Sequence, residues 1–344
     1  MNSTTPMTLA TYSNQQRDFE IVVLDIDGAV IQQKRLLERY NPKIIPLQER
    51  HAELRYWCPN DVMDSLRAYV ADRIDLNKPR IAFYGTNNSH HMAYLWISLL
   101  NEPVTVIGFD STSDCFRTVP GYTWAGSWVP LAAKLPHVQK LVLLGIDRDF
   151  TLDLPDDFIA PLGTPTYEID LLVSGKVELY PNVMQKSQIV GHVTASTPCV
   201  DLKPDGLFTS AATWKNFRNH GGVQVSMERI LSNISTDAVY ITIDKDGIRE
   251  ADSFTNVYDG KNSKQGTLTT EEVLEILSLI KQHKRIVGVD ICGDYSYPAR
   301  SPNRLKQAWT NWELAATPTA AIDSIALRQM NEEVNLRILE TLLS

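Results

Sequence analysis

The chain is 344 residues long, with 43% hydrophobic and 22% charged residues, which suits a folded globular protein and excludes a disordered one. A formal net charge of -8 argues against nucleic acid and anionic membrane as partners, because like charges repel at long range. The four cysteines, Cys58, Cys115, Cys199 and Cys292, form no C-x-x-C pair, which excludes zinc-knuckle and thioredoxin-type chemistry and fits a reducing, cytoplasmic setting.

Residues 1–18 are polar and read as a flexible tail, with neither the basic start nor the apolar stretch of a secretory signal. A single domain is expected over 19–344. Short runs rich in Val and Ile then recur: Phe19–Leu24, Arg80–Tyr84, Val104–Phe109, Lys140–Ile146, Gln188–Val193, Ala238–Ile243 and Arg285–Ile291. None alternates strictly between apolar and polar, so both faces should be buried, as in central parallel strands. Helices are predicted over His91–Leu100, Val129–Lys134, Met227–Ile234, Thr269–Lys284 and Asn331–Leu343. In the fourth, Thr269 and Glu272 have the spacing of a capping box, and Val273, Leu274, Ile276, Leu277 and Ile280 form an apolar face. The stretch 151–187 is irregular and reads as an insertion over the site, and Trp309–Thr319 reads as a loop. Alternating strands and helices predict an α/β fold, a single doubly wound parallel sheet flanked by helices.

Ligands of such sheets bind beyond the carboxyl ends of the strands. Four of the predicted strands end in spaced aspartates: Asp25 and Asp27, Asp110 and Asp114, Asp244 and Asp246, Asp290 and Asp294. One such pair is ordinarily a turn or a helix cap. Four on one sheet edge crowd like charges together, and that is costly unless a cation or a basic group compensates.

Asp110-x-Thr112-x-Asp114, followed far downstream by Asp244-x-Asp246, resembles the arginase, or ureohydrolase, superfamily. Gly85-Thr-Asn-Asn88-Ser89, Gly266-Thr-Leu-Thr-Thr-Glu and Val289-Asp-Ile-Cys-Gly-Asp fall where that family has its histidine loop, a helix opening and a later strand. His91-Met-Ala-Tyr94-Leu-Trp96 and Gly126-Ser-Trp128-Val are similar to the branch that includes peptide arginases. The resemblance covers about residues 19–295. It implies an arginase-like fold and two manganese ions that activate water for attack on a guanidinium carbon.

The departures are chemical. Thr112 stands in place of one histidine ligand, Asn88 in place of the other in the ungapped register, and Gly293 in place of a glutamate near the substrate. The resemblance therefore implies Asp110, Asp114, Asp244, Asp246 and His91 as metal ligands, with His90 as the alternative imidazole. It implies Asp114 and Asp246 as proton-handling groups, and Asp25, Asp27, Trp124, Ser127, Trp128 and Asp294 as substrate contacts. Trp124 and Trp128 read equally as packing residues. The cofactor expected is Mn²⁺, as one weakly held ion or none. The ligand expected is a small cationic molecule or a peptide side chain, hydrolysed at a C–N bond, and homo-oligomers are common in the family. Two alternatives stay open. One is a non-catalytic binding protein of the same fold. The other is a Mg²⁺-dependent phosphatase, because Val22-Val-Leu-Asp25-Ile-Asp27-Gly28 also resembles the first motif of haloacid-dehalogenase-type enzymes. Neither a phosphate loop nor a Gly-x-Ser-x-Gly elbow occurs.

Overall fold

The computed structural model describes residues 19–146, 170–171, 174–181, 186–189, 200–204, 210–214, 222–256, 265–298, 300–316 and 325–344. Its centre is an eight-stranded sheet: β1 (Glu20–Asp25), β2 (Lys43–Pro46), β3 (Arg80–Phe83), β4 (Val104–Phe109), β5 (Val138–Ile146), β6 (Val177–Pro181), β7 (Ala238–Asp244) and β8 (Arg285–Cys292). The spatial order is β2-β1-β3-β8-β7-β4-β5-β6, and every neighbouring pair is parallel. The last two strands of the chain thus wedge between β3 and β4. The carboxyl ends of β3, β8, β7 and β4 then lie side by side at the middle of one sheet edge.

Period-two geometry sends successive strand residues to opposite faces. Val22, Leu24, Ala82, Val104 and Val106 join a core beneath α2 (Asn60–Ala71), α3 (Met92–Ser98) and α4 (Trp128–Ala133). Val23, Ile81, Phe83, Ile107 and Phe109 join a second core, with α1 (Lys34–Tyr40), α5 (Gly222–Ser232), α6 (Thr270–His283) and α8 (Ile325–Leu343). Two apolar layers around one parallel sheet are the doubly wound architecture expected. Helix α6 starts at a complete capping box, in which Thr269 Oγ1 accepts from Glu272 N at 3.1 Å and Glu272 Oε2 accepts from Thr269 N at 2.8 Å. Among the described residues, no helix is long and apolar enough to cross a membrane.

Three sequence expectations need correction. Trp309–Thr319 is not a loop: α7 (Arg304–Ala316) occupies most of it. Its polar inward face hid it from a hydrophobic reading, because Lys306, Thr310 and Glu313 are all buried there. Of the predicted central strand Gln188–Val193, residues 190–193 lie outside the described residues, and Gln188 and Ile189 are not in the central sheet. Lys186–Ile189 pairs antiparallel with Ser210–Trp214 in a separate three-stranded sheet. Strands β2 and β6 were not anticipated, and β6 falls inside the stretch read as irregular. The tail 1–18 and most of 151–187 lie outside the described residues.

Helix α7 is anchored by charge. Arg55 Nη2 donates to Glu313 Oε1 at 2.7 Å, Tyr56 donates to Glu313 Oε2, and Asn88 and Asn256 donate to Oε1 at 2.9 and 2.7 Å. The Lys306 ammonium donates to the carbonyls of Ala52, Glu53 and Trp57. Removing one partner of a buried ion pair strands the other. Glu313→Ala should therefore lower unfolding free energy by about 3–5 kcal/mol in urea denaturation.

Candidate metal centre

The loop after β3 begins at Gly85, whose φ of +84° and close approach to Asp27 (an added Cβ would lie 2.2 Å from Oδ1) leave no room for a side chain. A 3₁₀ turn, Asn87–Ser89, follows, with Thr86 as its cap. This turn decides which residue faces the sheet edge. Asn88 is turned to Glu313. His90, two residues on and 1% exposed, points its ring over the ends of the central strands. His90 Nδ1 lies 3.1 Å from Asp110 Oδ2, 3.0 Å from Asp114 Oδ2 and 3.4 Å from Asp244 Oδ2. The imidazole at the centre is thus His90. His91 is fully buried but belongs to none of the carboxylate groups, and burial, with Lys306 nearby, lowers its pKa to about 3 and keeps it neutral. Helix α3 begins at Met92, so both histidines precede its first residue.

The turn after β4 supplies two of the carboxylates. Asp110 Oδ1 accepts from Thr112 N at 2.7 Å, closing an Asx turn. Asp114 adopts a left-handed φ of +45°, a conformation aspartate tolerates better than most residues. Its two oxygens are engaged by Thr112 Oγ1 at 3.0 Å and Trp128 Nε1 at 2.8 Å. After β7, Asp244 Oδ1 accepts from Asp246 N at 2.9 Å, and Asp246 Oδ1 accepts from Ser111 N at 3.1 Å, tying the two strand ends together. Asp110, Asp114, Asp244 and Asp246 do converge, all of them buried.

The tautomer of His90 follows from what stands behind it. Asp290 is fully buried and accepts hydrogen bonds from Tyr84 (2.7 Å), Tyr240 (2.7 Å) and Thr242 (2.8 Å). The Thr242 hydroxyl gives its one proton to Asp290, so it accepts from His90 Nε2–H at 3.1 Å. That fixes the lone pair of the neutral ring on Nδ1, facing the carboxylates. None of the approaches to Nδ1 is aligned as a hydrogen bond, and both His90 Nδ1 and Asp110 Oδ2 are buried without such a partner. Buried polar atoms are normally satisfied. A ring nitrogen facing three carboxylates at 3.0–3.4 Å without an aligned hydrogen bond is an arrangement that either a proton or a metal cation would satisfy. The groups His90, Asp110, Asp114 and Asp110, Asp244, Asp246 each have donor atoms within 4.8 Å of one another, so the residues present fit a metal ion.

The remaining expected contacts sit at the same edge but are tied locally. Asp25 accepts from Gly28 N and Gln48 Nε2, and Asp27 from Ala29 N and Thr86 N. Ser127 Oγ accepts from Trp124 N and donates to Trp124 O. Trp124 packs on Phe116, with ring centroids 5.6 Å apart. Trp128 is fully buried, its ring centroid 5.1 Å from that of His90, and serves to hold Asp114 and the imidazole. Asp294 accepts from Lys245 Nζ at 2.6 Å and Gln33 Nε2 at 2.8 Å. Gly293 stands where the resemblance expected a glutamate, with φ +89°. A Cβ there would meet Lys245 N at 2.7 Å and Asp244 Oδ1 at 2.9 Å, so the packing of the Asp-Lys-Asp turn excludes any side chain. The sequence reading missed Thr242 and took Asp290 for one of the charge-binding carboxylates, whereas three hydroxyls hold it behind the site.

The chain is similar to several solved structures. Arginase of Entamoeba histolytica in complex with L-ornithine superposes with a TM-score of 0.54 at 14% identity, covering 96% of this chain and 100% of that one. Formimidoylglutamase of Bacillus subtilis gives 0.52 at 14% identity, covering 99% of this chain and 93% of that one. A hypothetical agmatinase of Burkholderia thailandensis gives 0.50 at 13% identity, covering 96% and 88%. The chain therefore has the arginase fold, as the sequence resemblance implied. No protein-family model and no curated protein matches the sequence. The phosphatase reading of Asp25 to Gly28 is not favoured.

Burial sets the proton affinity of the centre. The Asp244 carboxyl is raised from 3.8 to about 8, first by burial and then by the Asp246 charge. Burial opposes a proton on His90, but Asp110 and Asp114 outweigh it and raise its pKa well above the ordinary value. Folding therefore takes up protons here. The stability that Asp244 contributes is complete below its unfolded pKa of 3.8 and is lost as pH rises through its folded pKa of about 8. In a chelator, the Tm should carry a falling component between about pH 5 and about pH 8. Added divalent metal should raise Tm most at the upper end of that range, where fewer protons compete for the same atoms.

Proposed function

We propose that this chain is a metal-dependent hydrolase of a C–N bond in a guanidino or related cationic group, working with one divalent cation held by His90, Asp110, Asp114 and Asp244. The observation that carries this reading is the convergence of His90 Nδ1 with oxygens of Asp110, Asp114 and Asp244 within 3.4 Å, where neither His90 Nδ1 nor Asp110 Oδ2 makes a well-aligned hydrogen bond. Imidazole and carboxylate donors together suit Mn²⁺ among other divalent cations. When bound, such an ion lowers the pKa of water and polarises the bond attacked.

The protein's own groups divide the remaining work. Thr242 and Asp290 hold the His90 ring in one tautomer. Asp114, with both oxygens engaged by Thr112 and Trp128, is a fixed ligand more than a proton carrier. Asp246 stands beside Asp244 on the same turn and is the group assigned to accept the proton of the attacking water. The carboxylates give the site a negative field that favours a cationic substrate. A second ion would need a donor at Thr112. Its hydroxyl, with one proton shared between Asp110 and Asp114 at 3.0 Å each, offers no imidazole, which supports one ion in place of a pair.

Dialysis against excess Mn²⁺ followed by element analysis should give about one ion per chain, rising towards about two in Thr112→His. Urea release from arginine, agmatine and arginine-containing peptides should depend on added metal and disappear in Asp244→Asn. Binding of one of these compounds without turnover, lost in Asp244→Asn, would instead support the non-catalytic binding protein. Binding and turnover that ignore Asp244→Asn would end both readings.

A further inference from the structure

One nucleophilic group beside the centre has no part in the chemistry above. Cys292 is the last residue of β8 and stands directly across from Asp244 in the parallel register of β7 and β8. It is fully buried and forms no disulfide. Its sulfur, a carboxylate oxygen of Asp244 and a ring nitrogen of His90 lie within 4.8 Å of one another. Ligands at about 2.0–2.3 Å from one ion are at most about 4.6 Å apart, so these three atoms lie close to the spacing of donors to a single ion. The position follows from the strand order. Because β8 lies between β3 and β7, its end comes between the loop that carries His90 and the turn that carries Asp244. The Nδ1 of His90, in a side chain 1% exposed, faces this space without an aligned hydrogen bond, and that is the independent sign that the space is built for a ligand.

We infer that Cys292 is a metal-selecting ligand of this centre, giving a site otherwise made of oxygen and imidazole donors a thiolate and thereby a preference for a thiophilic divalent cation such as zinc or cobalt over manganese. This inference rests on the reading of the centre as a metal site. Thiolate donors favour borderline-soft ions, whereas manganese favours oxygen. When the ion binds, the S–H bond breaks, a sulfur–metal bond forms and the proton leaves to solvent, with no change of oxidation state. The thiol also compensates for a loss on the opposite side of the site. Thr112, beside Asp110 and Asp114, supplies no imidazole where one was expected, whereas Cys292 brings a donor to Asp244 from β8.

The test is cobalt substitution of the full-length protein, read by absorption. The unaltered protein should show visible cobalt bands together with a near-ultraviolet thiolate-to-cobalt charge-transfer band. In Cys292→Ser and Cys292→Ala the visible bands should persist and the charge-transfer band should vanish, while Cys58→Ser and Cys115→Ser leave both unchanged. In competition titrations Cys292→Ser should bind Zn²⁺ about 10–100-fold more weakly, with Mn²⁺ affinity changed by less than about threefold. Cobalt bound in the unaltered protein without a charge-transfer band would overturn this inference alone, and so would a band that survives in Cys292→Ser. The first result needs no variant to fold. Failure to bind cobalt, zinc or manganese at all would overturn the metal-site reading with it.

Discussion

The structure is organised around the cost of burying aspartates. Asp110, Asp114, Asp244 and Asp246 are each less than a tenth exposed and crowd one sheet edge. Carboxylates so placed repel one another and lose hydration, and only a compensating cation makes the arrangement tolerable as ionised groups. The raised proton affinities of Asp110, Asp244 and His90 are the response of the protein alone, since protons then occupy the place of the missing positive charge. A metal ion and these protons are alternative solutions to one electrostatic problem. Stability and pH are therefore coupled through a single cluster.

That cluster exists only because of strand order. In a sheet laid down in simple succession, β3 and β4 would be neighbours and their loops would meet directly. Wedging β7 and β8 between them opens the edge by two strand positions, and the turn after β7 fills the space with Asp244 and Asp246. The parallel register then sets depth. Asp244 pairs with Cys292, while Thr242 pairs with Asp290 two residues deeper. The deeper pair orients His90 from behind, and the outer pair faces the site. Two buried cations near it are ion-paired in place: Lys245 with Asp294, and Arg55 with Glu313.

Much of this was legible in the sequence, and the omissions have physical causes. Central strands such as Val104–Phe109 and Ala238–Asp244 announce themselves because burial on both faces demands unbroken apolar residues. The edge strand Lys43–Pro46 does not. Ile44 is 46% exposed and a proline closes the strand, so its composition is that of a loop. Helix α7 was lost because its buried face carries lysine, threonine and glutamate, whose hydrophobicity is low and whose partners lie some 250 residues away. The four aspartates were found from their places at strand ends, which topology alone dictates. The choice between His90 and His91 turned on one 3₁₀ turn, Asn87–Ser89, and successive residues of such a turn point in directions that composition does not encode.

Gly293 illustrates how one substitution redistributes a site. In the ungapped comparison it looks like the simple loss of a substrate-binding glutamate. The structure makes it a steric requirement, because any Cβ there would strike the backbone of Lys245 and the carboxylate of Asp244. The space is taken because Lys245 runs inward to Asp294, Asn335 and the C-terminal helix α8, locking the Asp-Lys-Asp turn against the end of the chain. Gly293, the buried Lys245 and Asp294 are thus interlocked by packing. A glutamate placed at position 293 without altering Lys245 and Asp294 would displace the Asp244 carboxylate.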